Sequence, residues 1–427
     1  MINFSDTQKK EIRRQYSLLQ NDVMTEREHG CANYSRRDDF HRDYTRILYS
    51  SSFRRLQGKM QILGIESSAF FRNRLTHSLE VSQIAHSIAS AVGEACGDIY
   101  INDLFLIEAA ALAHDIGHPA FGHKGERVLN ELSVSFGSRF EGNAQNFRVL
   151  RTLEKKEPTF SGLNLTNRTL LAINKYLVQE KPSVSKFLFS DDYDYLEGIR
   201  LKTGLKKTRT LDVQIIEIAD DIAYAVHDLE DALGFRYFSI DELLYQIKDK
   251  DEDSYRRLKI FVDEAEQYAM MASTYHTIQE YSQVFRKCLT SKLTYEFIND
   301  ITLAEITDNK AILEHGTENG QLELQMDEYK NLCRLLSTTI YDCVTRDPDV
   351  TLYECKGEVV LRSLFEILSD EKTNKGGKLL PPDYRPYEGY SLQKGCIDYL
   401  AGMMDTFAIS QYEKLCGIPF EKIIIRS

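Results

Sequence analysis

Apolar positions along this chain recur mostly at helical spacing. Leu75, Leu79, Ile84, Ile88 and Val92 follow a 3.6-residue period and predict an amphipathic helix that carries His77. The stretch from Asp103 to Ala113 is apolar on nearly every side, so it predicts a buried helix. Gly117, Pro119 and Gly122 then punctuate the chain as turn and helix-stop residues. His118 and His123 are therefore expected on a loop, with a new helix running from Glu126 to Leu132. A third helix, 211–232, has a buried stripe of Ile215, Ala219, Ile222, Val226 and Leu229. On its neighbouring face Asp220, Tyr224 and Asp228 step by four.

The remaining pattern is less specific. Residues 6–30 read as helical and carry no site. Within 36–61, Phe53, Leu56 and Met60 predict one buried side, edged by Arg36, Arg37, Arg42, Arg46, Arg54, Arg55 and Lys59. Residues 160–210 are the least regular part of the first half. Beyond 241 the chain reads as a run of helices, with loops near 305–320 and 370–390, of which 376–388 is the clearest. Strand signals are few and no internal repeat appears, so the fold class is mainly α. Boundaries are expected at 1–35 for an N-terminal helical extension, 36–240 for a core, and 241–427 for a helical C-terminal region.

Composition narrows the setting. The chain has 427 residues, 42% of them hydrophobic and 28% charged, as in an ordinary globular protein. A net charge of −12 argues against wholesale nucleic-acid binding, and an anionic substrate would need a local concentration of Lys and Arg. None of the eight cysteines forms a CxxC pair, and the N-terminus shows no signal peptide, so reduced thiols and a cytoplasmic location are expected. No apolar run approaches the roughly 20 residues of a membrane span.

The chemistry concentrates at 114–123, where His114, Asp115, His118 and His123 fall within one short segment. A lone histidine on an apolar helix is ordinarily a satisfied core residue, and the acids of 211–232 could be solvated. A buried carboxylate beside His114, however, needs a partner or a metal. His77, His114, Asp115 and Asp220 make a mixed N/O ligand set for Mn²⁺, Mg²⁺, Fe²⁺, Ni²⁺ or Zn²⁺, with open positions for water and substrate. The absence of cysteine ligands disfavours a structural zinc site. His118, His123 and Glu126 stand beside this set as candidates for acid–base work.

The order His77 … His114-Asp115 … Asp220 resembles the HD superfamily of metal-dependent phosphohydrolases. The surrounding phrases are similar to its bacterial dGTPase branch, the deoxynucleoside triphosphate triphosphohydrolases. They are SSFRRLQGKMQ at 51–61, NRLTHSLEVSQIA at 73–85, HDIGHPAFGHKGE at 114–126, FEGNAQNFR at 140–148 and IADDIAYAVHDLEDA at 218–232. The likeness covers 35–235 strongly and the rest weakly, with CIDYLAGMMDTFA at 396–408 also familiar.

The resemblance implies a helical HD core (36–240) and a C-terminal region that completes the nucleotide pocket and the oligomer contacts. It implies that His77, His114, Asp115 and Asp220 bind a divalent ion, Mn²⁺ or Mg²⁺ foremost, that contacts the α-phosphate. His123 would be the acid–base residue, supported by Glu126, with His118 near the phosphates. Gln61 and Asp228 would bind the sugar 3′-hydroxyl, and Tyr224 would exclude a 2′-hydroxyl. Arg74, Lys175, Tyr176 and Lys186 would hold the triphosphate, and Asn143 and Gln145 would line the same pocket. The implied reaction is attack at the α-phosphorus of dGTP or another dNTP, giving deoxynucleoside and intact triphosphate. Asp221 stands where the human HD-domain dNTP triphosphohydrolase has a phosphate-binding lysine, which shifts weight to the lysines of 175–186. Relatives assemble as tetramers or hexamers and some respond to an effector dNTP or bind single-stranded nucleic acid, so these are the expected partners besides substrate.

Two rival readings share the scaffold. Another HD enzyme, a 5′-nucleotidase or cyclic-nucleotide phosphodiesterase, would keep the metal site without needing the RRLQ and IADDIAY phrases. A nucleotide-sensing or single-stranded-nucleic-acid-binding protein would use the basic stretches at 36–59 and 202–209, but intact His123 and Glu126 favour catalysis.

Overall fold

The computed structural model describes residues 2–30, 38–61, 72–155, 157–271 and 277–425. Cys31, Arg36 and Arg37 lie outside the described residues. Within them the chain is mainly α, with eighteen α-helices and one two-stranded antiparallel sheet. Ten helices bear on the site and are numbered here: α1 (Asp39–Leu48), α2 (Arg74–Ala95), α3 (Leu104–Ala113), α4 (Gly122–Val134), α5 (Gly142–Arg148), α6 (Leu211–Gly234), α7 (Lys330–Thr345), α8 (Pro348–Ser369), α9 (Leu392–Ala401) and α10 (Asp405–Cys416).

Helix α6 is the axis of the larger core. It packs against α2, α3 and α7, and its N-cap Thr210 accepts the Val213 N–H. Helix α2 starts at a reciprocal cap in which Asn73 accepts the Thr76 N–H, and this fixes His77 in its first turn. Arg72 bolts the two helices together, pairing with Glu80 on α2 and with Glu230 and Asp231 on α6. The apolar packing runs without a break from Ile12 through Ile215 to Phe261 and Leu336, so it crosses residue 240. A smaller core joins Phe121 and Leu129 to Val360 and Leu364 of α8 and to Ile397 and Leu400 of α9. The chemistry lies on the seam between these two cores.

Several expectations are corrected. The helix expected from Glu126 begins at Gly122, so His123 sits in its first turn and not on a loop. The glycine and proline read as a longer break, but the chain needs only the left-handed pair Phe121 and Gly122 to re-enter a helix. Leu79 is 47% exposed, because the buried stripe of α2 passes through His77, Ser78 and Val81. Residues 6–30 are helical only over Asp6–Ser17, with a short 3₁₀ turn at Asp22–Met24. The 305–320 loop is flanked by a hairpin, β1 (Ile301–Glu305) paired with β2 (Leu322–Met326), and contains the short helix Asn309–His315.

Part of the basic stretches is spent on internal contacts, while Arg54, Lys202, Lys206 and Lys207 are exposed. Arg42 pairs with Asp39, Arg46 donates to the carbonyl of Leu163, and Lys59 is buried. Arg209 pairs with Glu217 and Glu323.

Candidate active site

Three side chains from three helices converge. His77 on α2, His114 at the C-terminal end of α3 and Asp220 on α6 each turn one ligand atom inward, and these atoms lie within 4.8 Å of one another. Asp220 Oδ1 is 3.0 Å from His77 Nε2 and 3.5 Å from His114 Nε2. His114 Nδ1 is 2.6 Å from the Ala111 carbonyl, which can only accept, so Nδ1 carries the proton and Nε2 presents its lone pair. That Nε2 is buried with no hydrogen-bond partner among the described residues. A buried lone pair facing a carboxylate and a second imidazole suits a divalent cation, and the donor set fits one.

The local charges agree. Without a cation at Nε2, burial disfavours the charged His114 ring, but the Asp115 and Asp220 carboxylates outweigh it and lift the group to about 9, so a metal ion taken up at Nε2 displaces the proton that these acids otherwise hold there. Burial likewise opposes ionisation of Asp220, and the two histidines hold it well below the usual carboxylate range.

Asp115 flanks this group. Its Oδ1 is 3.6 Å from His114 Nε2 and 3.0 Å from His118 Nδ1, and its Oδ2 accepts from Arg74. Against burial, Arg74 and the histidines hold the Asp115 carboxyl well below its ordinary value. His123 Nδ1 faces Glu126 at 3.5 Å, while the His123 ring is more than half exposed. Glu126 also accepts the Gly142 N–H at 3.0 Å, and these contacts keep it ionised against its burial. Gly117 lets the His118 segment lie on α5, since a Cβ there would stand 2.1 Å from the Asn146 nitrogen.

Two cavities meet at these residues, and His123 and Tyr224 line both. One, of about 300 Å³, is bounded by His114, Asp220, Asn143, Lys175, Tyr176 and Lys186. Its cations are already matched, Lys175 with Glu217 at 2.9 Å and Lys186 with Glu141 at 2.7 Å. The other, of about 280 Å³, is bounded by Gln61, Arg74, Asp228 and, from α7, Thr338, Tyr341 and Asp342. Here both side-chain heteroatoms of Gln61 and one oxygen of Asp228 are buried with no partner among the described residues. Burial first, then Asp231 and Glu80, pushes Asp228 well above the usual carboxylate range. Tyr224 lies between the cavities with its ring 4.7 Å from that of His77.

Two of the expected contacts are held by buried acids. Gln145 is fully buried and donates to Asp398 at 3.0 Å, away from both cavities, because α5 turns it towards α9. Arg74 lines the Gln61 cavity and is committed to Asp115, across Tyr224 from the lysines. Asp221 is exposed and stays out of the cluster. Glu217 and Glu141 escaped the sequence reading, although Glu217 lies three residues before Asp220 on the same helix face. Tyr341 and Asp342 carried no signal, since α7 reads as a plain amphipathic helix.

Residues 74–225 match the HD domain family, and residues 325–414 match the phosphohydrolase-associated domain family. Fold and site thus define an HD-domain protein with its associated C-terminal unit. A deoxyguanosinetriphosphate triphosphohydrolase-like protein 2 of Vibrio cholerae serotype O1 is 45% identical over 383 residues, 89% of each chain. Deoxyguanosinetriphosphate triphosphohydrolase-like proteins of Shewanella halifaxensis and Shewanella sp. (strain ANA-3) are each 33% identical, covering 89% and 93% of this chain and 92% and 97% of theirs. The chain belongs to this family of HD-domain hydrolases. No helix among the described residues is long and apolar enough to cross a membrane.

Proposed function

We propose that the chain hydrolyses deoxynucleoside triphosphates, dGTP foremost, at the α-phosphorus, releasing the deoxynucleoside and intact triphosphate. The observation that carries this is the placing of the His77–His114–Asp220 cluster where a lysine-lined cavity meets one with unpartnered hydroxyl-binding groups. Asp115 completes the ligand set, and Mn²⁺ or Mg²⁺ suits its oxygens together with two imidazoles. A divalent ion held there supplies charge stabilisation to the phosphoryl group and orients it.

The chain's own groups do the rest. Lys175 and Lys186 exchange their glutamate partners for phosphate oxygens, so the triphosphate enters without leaving a cation unpaired. Gln61 and Asp228 take the 3′-hydroxyl and satisfy their orphaned atoms. The Tyr224 ring, packed against His77, closes the space at C2′. Water attacks the α-phosphorus, the bond to the 5′-oxygen breaks, and the proton the water sheds as its oxygen joins phosphorus passes to solvent. His123, its Nδ1 turned to Glu126, delivers a proton from Nε2 to that departing oxygen. At the outer end of the Gln61 cavity Asp342 and Glu354 can accept from the N–H groups of a guanine, which favours dGTP.

The test is to incubate the purified chain with each dNTP and NTP, with Mn²⁺ and Mg²⁺ separately, and to identify the phosphate released. Tripolyphosphate from dNTPs is expected. Orthophosphate or pyrophosphate would assign the site to a different HD reaction.

A further inference from the structure

Between His118 and His123 the backbone passes through Phe121 at φ 61° and Gly122 at φ 56°. A phenylalanine in the left-handed region is strained and persists only where its surroundings hold it. Those surroundings come from the C-terminal region, some 280 residues away in sequence. Asp405, fully buried at the start of α10, accepts the Phe121 N–H at 3.2 Å and the Met60 N–H at 3.3 Å. The Tyr353 hydroxyl reaches the same carboxylate at 3.3 Å. The Phe121 side chain packs against Gly357 of α8, where a Cβ would come within 2.4 Å of it. Lys59, 1% exposed, donates to the carbonyls of His118 and Ala401.

One carboxylate thus grips the chain at two points that frame the reacting centre. Met60 precedes the sugar-binding Gln61, and Phe121 lies two residues before His123. We infer that Asp405, assisted by Lys59, is a positioning residue: it holds the Phe121 turn and the Met60 backbone in one frame, so that His123 and Gln61 address the same nucleotide. Burial costs both groups, driving Lys59 down to about 7 and Asp405 up to about 6, and each offsets part of the other's cost. A hydrophobic pair would fill the space without that cost but could not bind two amides and two carbonyls.

The inference rests on the hydrolase reading, and its test separates the two. Asp405→Asn keeps the size of the side chain but loses the charge and one acceptor, and Gly357→Ala pushes on the Phe121 ring without touching substrate. Both are compared with the wild type for dGTP turnover, melting temperature and amide hydrogen exchange. Each variant is expected to lower kcat about tenfold or more while KM stays within about twofold, the signature of misplaced reacting groups. Exchange over 118–123 should quicken in both beyond any global change. Should Asp405→Asn fail to fold, Asp405→Glu, which keeps the charge but moves it off the two amides, is read in its place by the same measures. A kcat per folded molecule that stays at the wild-type value, a rise in KM alone, or unchanged exchange over 118–123 would overturn the inference. If the wild type itself releases no triphosphate, the hydrolase reading fails, and hydrogen exchange still decides whether Asp405 holds the turn.

Discussion

The two cavities that share Tyr224 and His123 are prepared in opposite ways. On the lysine side every charge has a partner: Lys175 meets Glu217 and Lys186 meets Glu141 and Glu126. On the Gln61 side both heteroatoms of Gln61 and one oxygen of Asp228 are buried with no partner among the described residues. An anion entering the first displaces one ion pair for another, so the net gain is modest and insensitive to which nucleotide carries it. A hydroxyl entering the second relieves a desolvation penalty that nothing else relieves, so discrimination belongs there. The difference teaches that affinity for triphosphate and choice of nucleotide are separable in this molecule.

The largest effect should come where the comparison collapses, at the ligand cluster that serves both sides. Asp220→Ala should lower kcat about 1,000-fold or more on every nucleotide, in line with the several kcal/mol a catalytic ion supplies. Its loss of Mn²⁺ binding, read by calorimetry, should accompany the loss of rate. Residual activity that still requires Mn²⁺ would place the ion elsewhere.

On the discriminating side, Tyr224→Ala should admit GTP and shrink the dGTP/GTP ratio of kcat/KM about 100-fold, with dGTP itself less affected. Unchanged selectivity would remove Tyr224 from that role. On the lysine side, Lys186→Ala should raise KM for every dNTP about 10- to 100-fold, with no change in their ranking, since a charge-assisted contact is worth about 1.5–3 kcal/mol. A change in ranking would break the separation of the two cavities.

The smallest effects concern stability and should have opposite signs. Burial, with Arg209 and Lys175 nearby, depresses His315 beside the lysine cavity to about 3. Between that value and its ordinary 6.5 the unfolded chain binds the extra proton, so His315 makes stability fall as pH drops through this window. Asp228 is raised, so above its ordinary 3.8 the folded chain holds the extra proton and stability falls as pH rises. Denaturant unfolding from pH 3 to pH 6.5 should show a flatter slope for His315→Gln and a steeper one for Asp228→Asn than for the wild type. Slopes that move the other way would mean that these groups are not buried as described.

Much of this arrangement was legible in the sequence because it lies on long helices. Ile215, Ala219 and Ile222 set the buried face of α6, and the four-residue step then carries Asp220, Tyr224 and Asp228 along the cavity wall. His114 and Asp115 stood out because they follow an apolar helix. Other positions depend on contacts that no local pattern encodes. Nothing local to Gln145 or Arg74 announces the buried acids that hold them, Asp398 and Asp115. His123 was expected on a loop because glycine and proline punctuate the segment, whereas Asp405 holds a turn there tight enough for the helix to restart at Gly122. The phrase 396–408 was familiar without an evident role. Its two buried acids, Asp398 and Asp405, fasten the C-terminal helices to the back of the site.

The central claim is attack at the α-phosphorus within a site built for an intact triphosphate. Turnover of dGTP in ¹⁸O-labelled water, followed by mass spectrometry of both products, tests it most directly. The expected result is one labelled oxygen in tripolyphosphate and none in deoxyguanosine. Label in deoxyguanosine, or in orthophosphate or pyrophosphate, would contradict it.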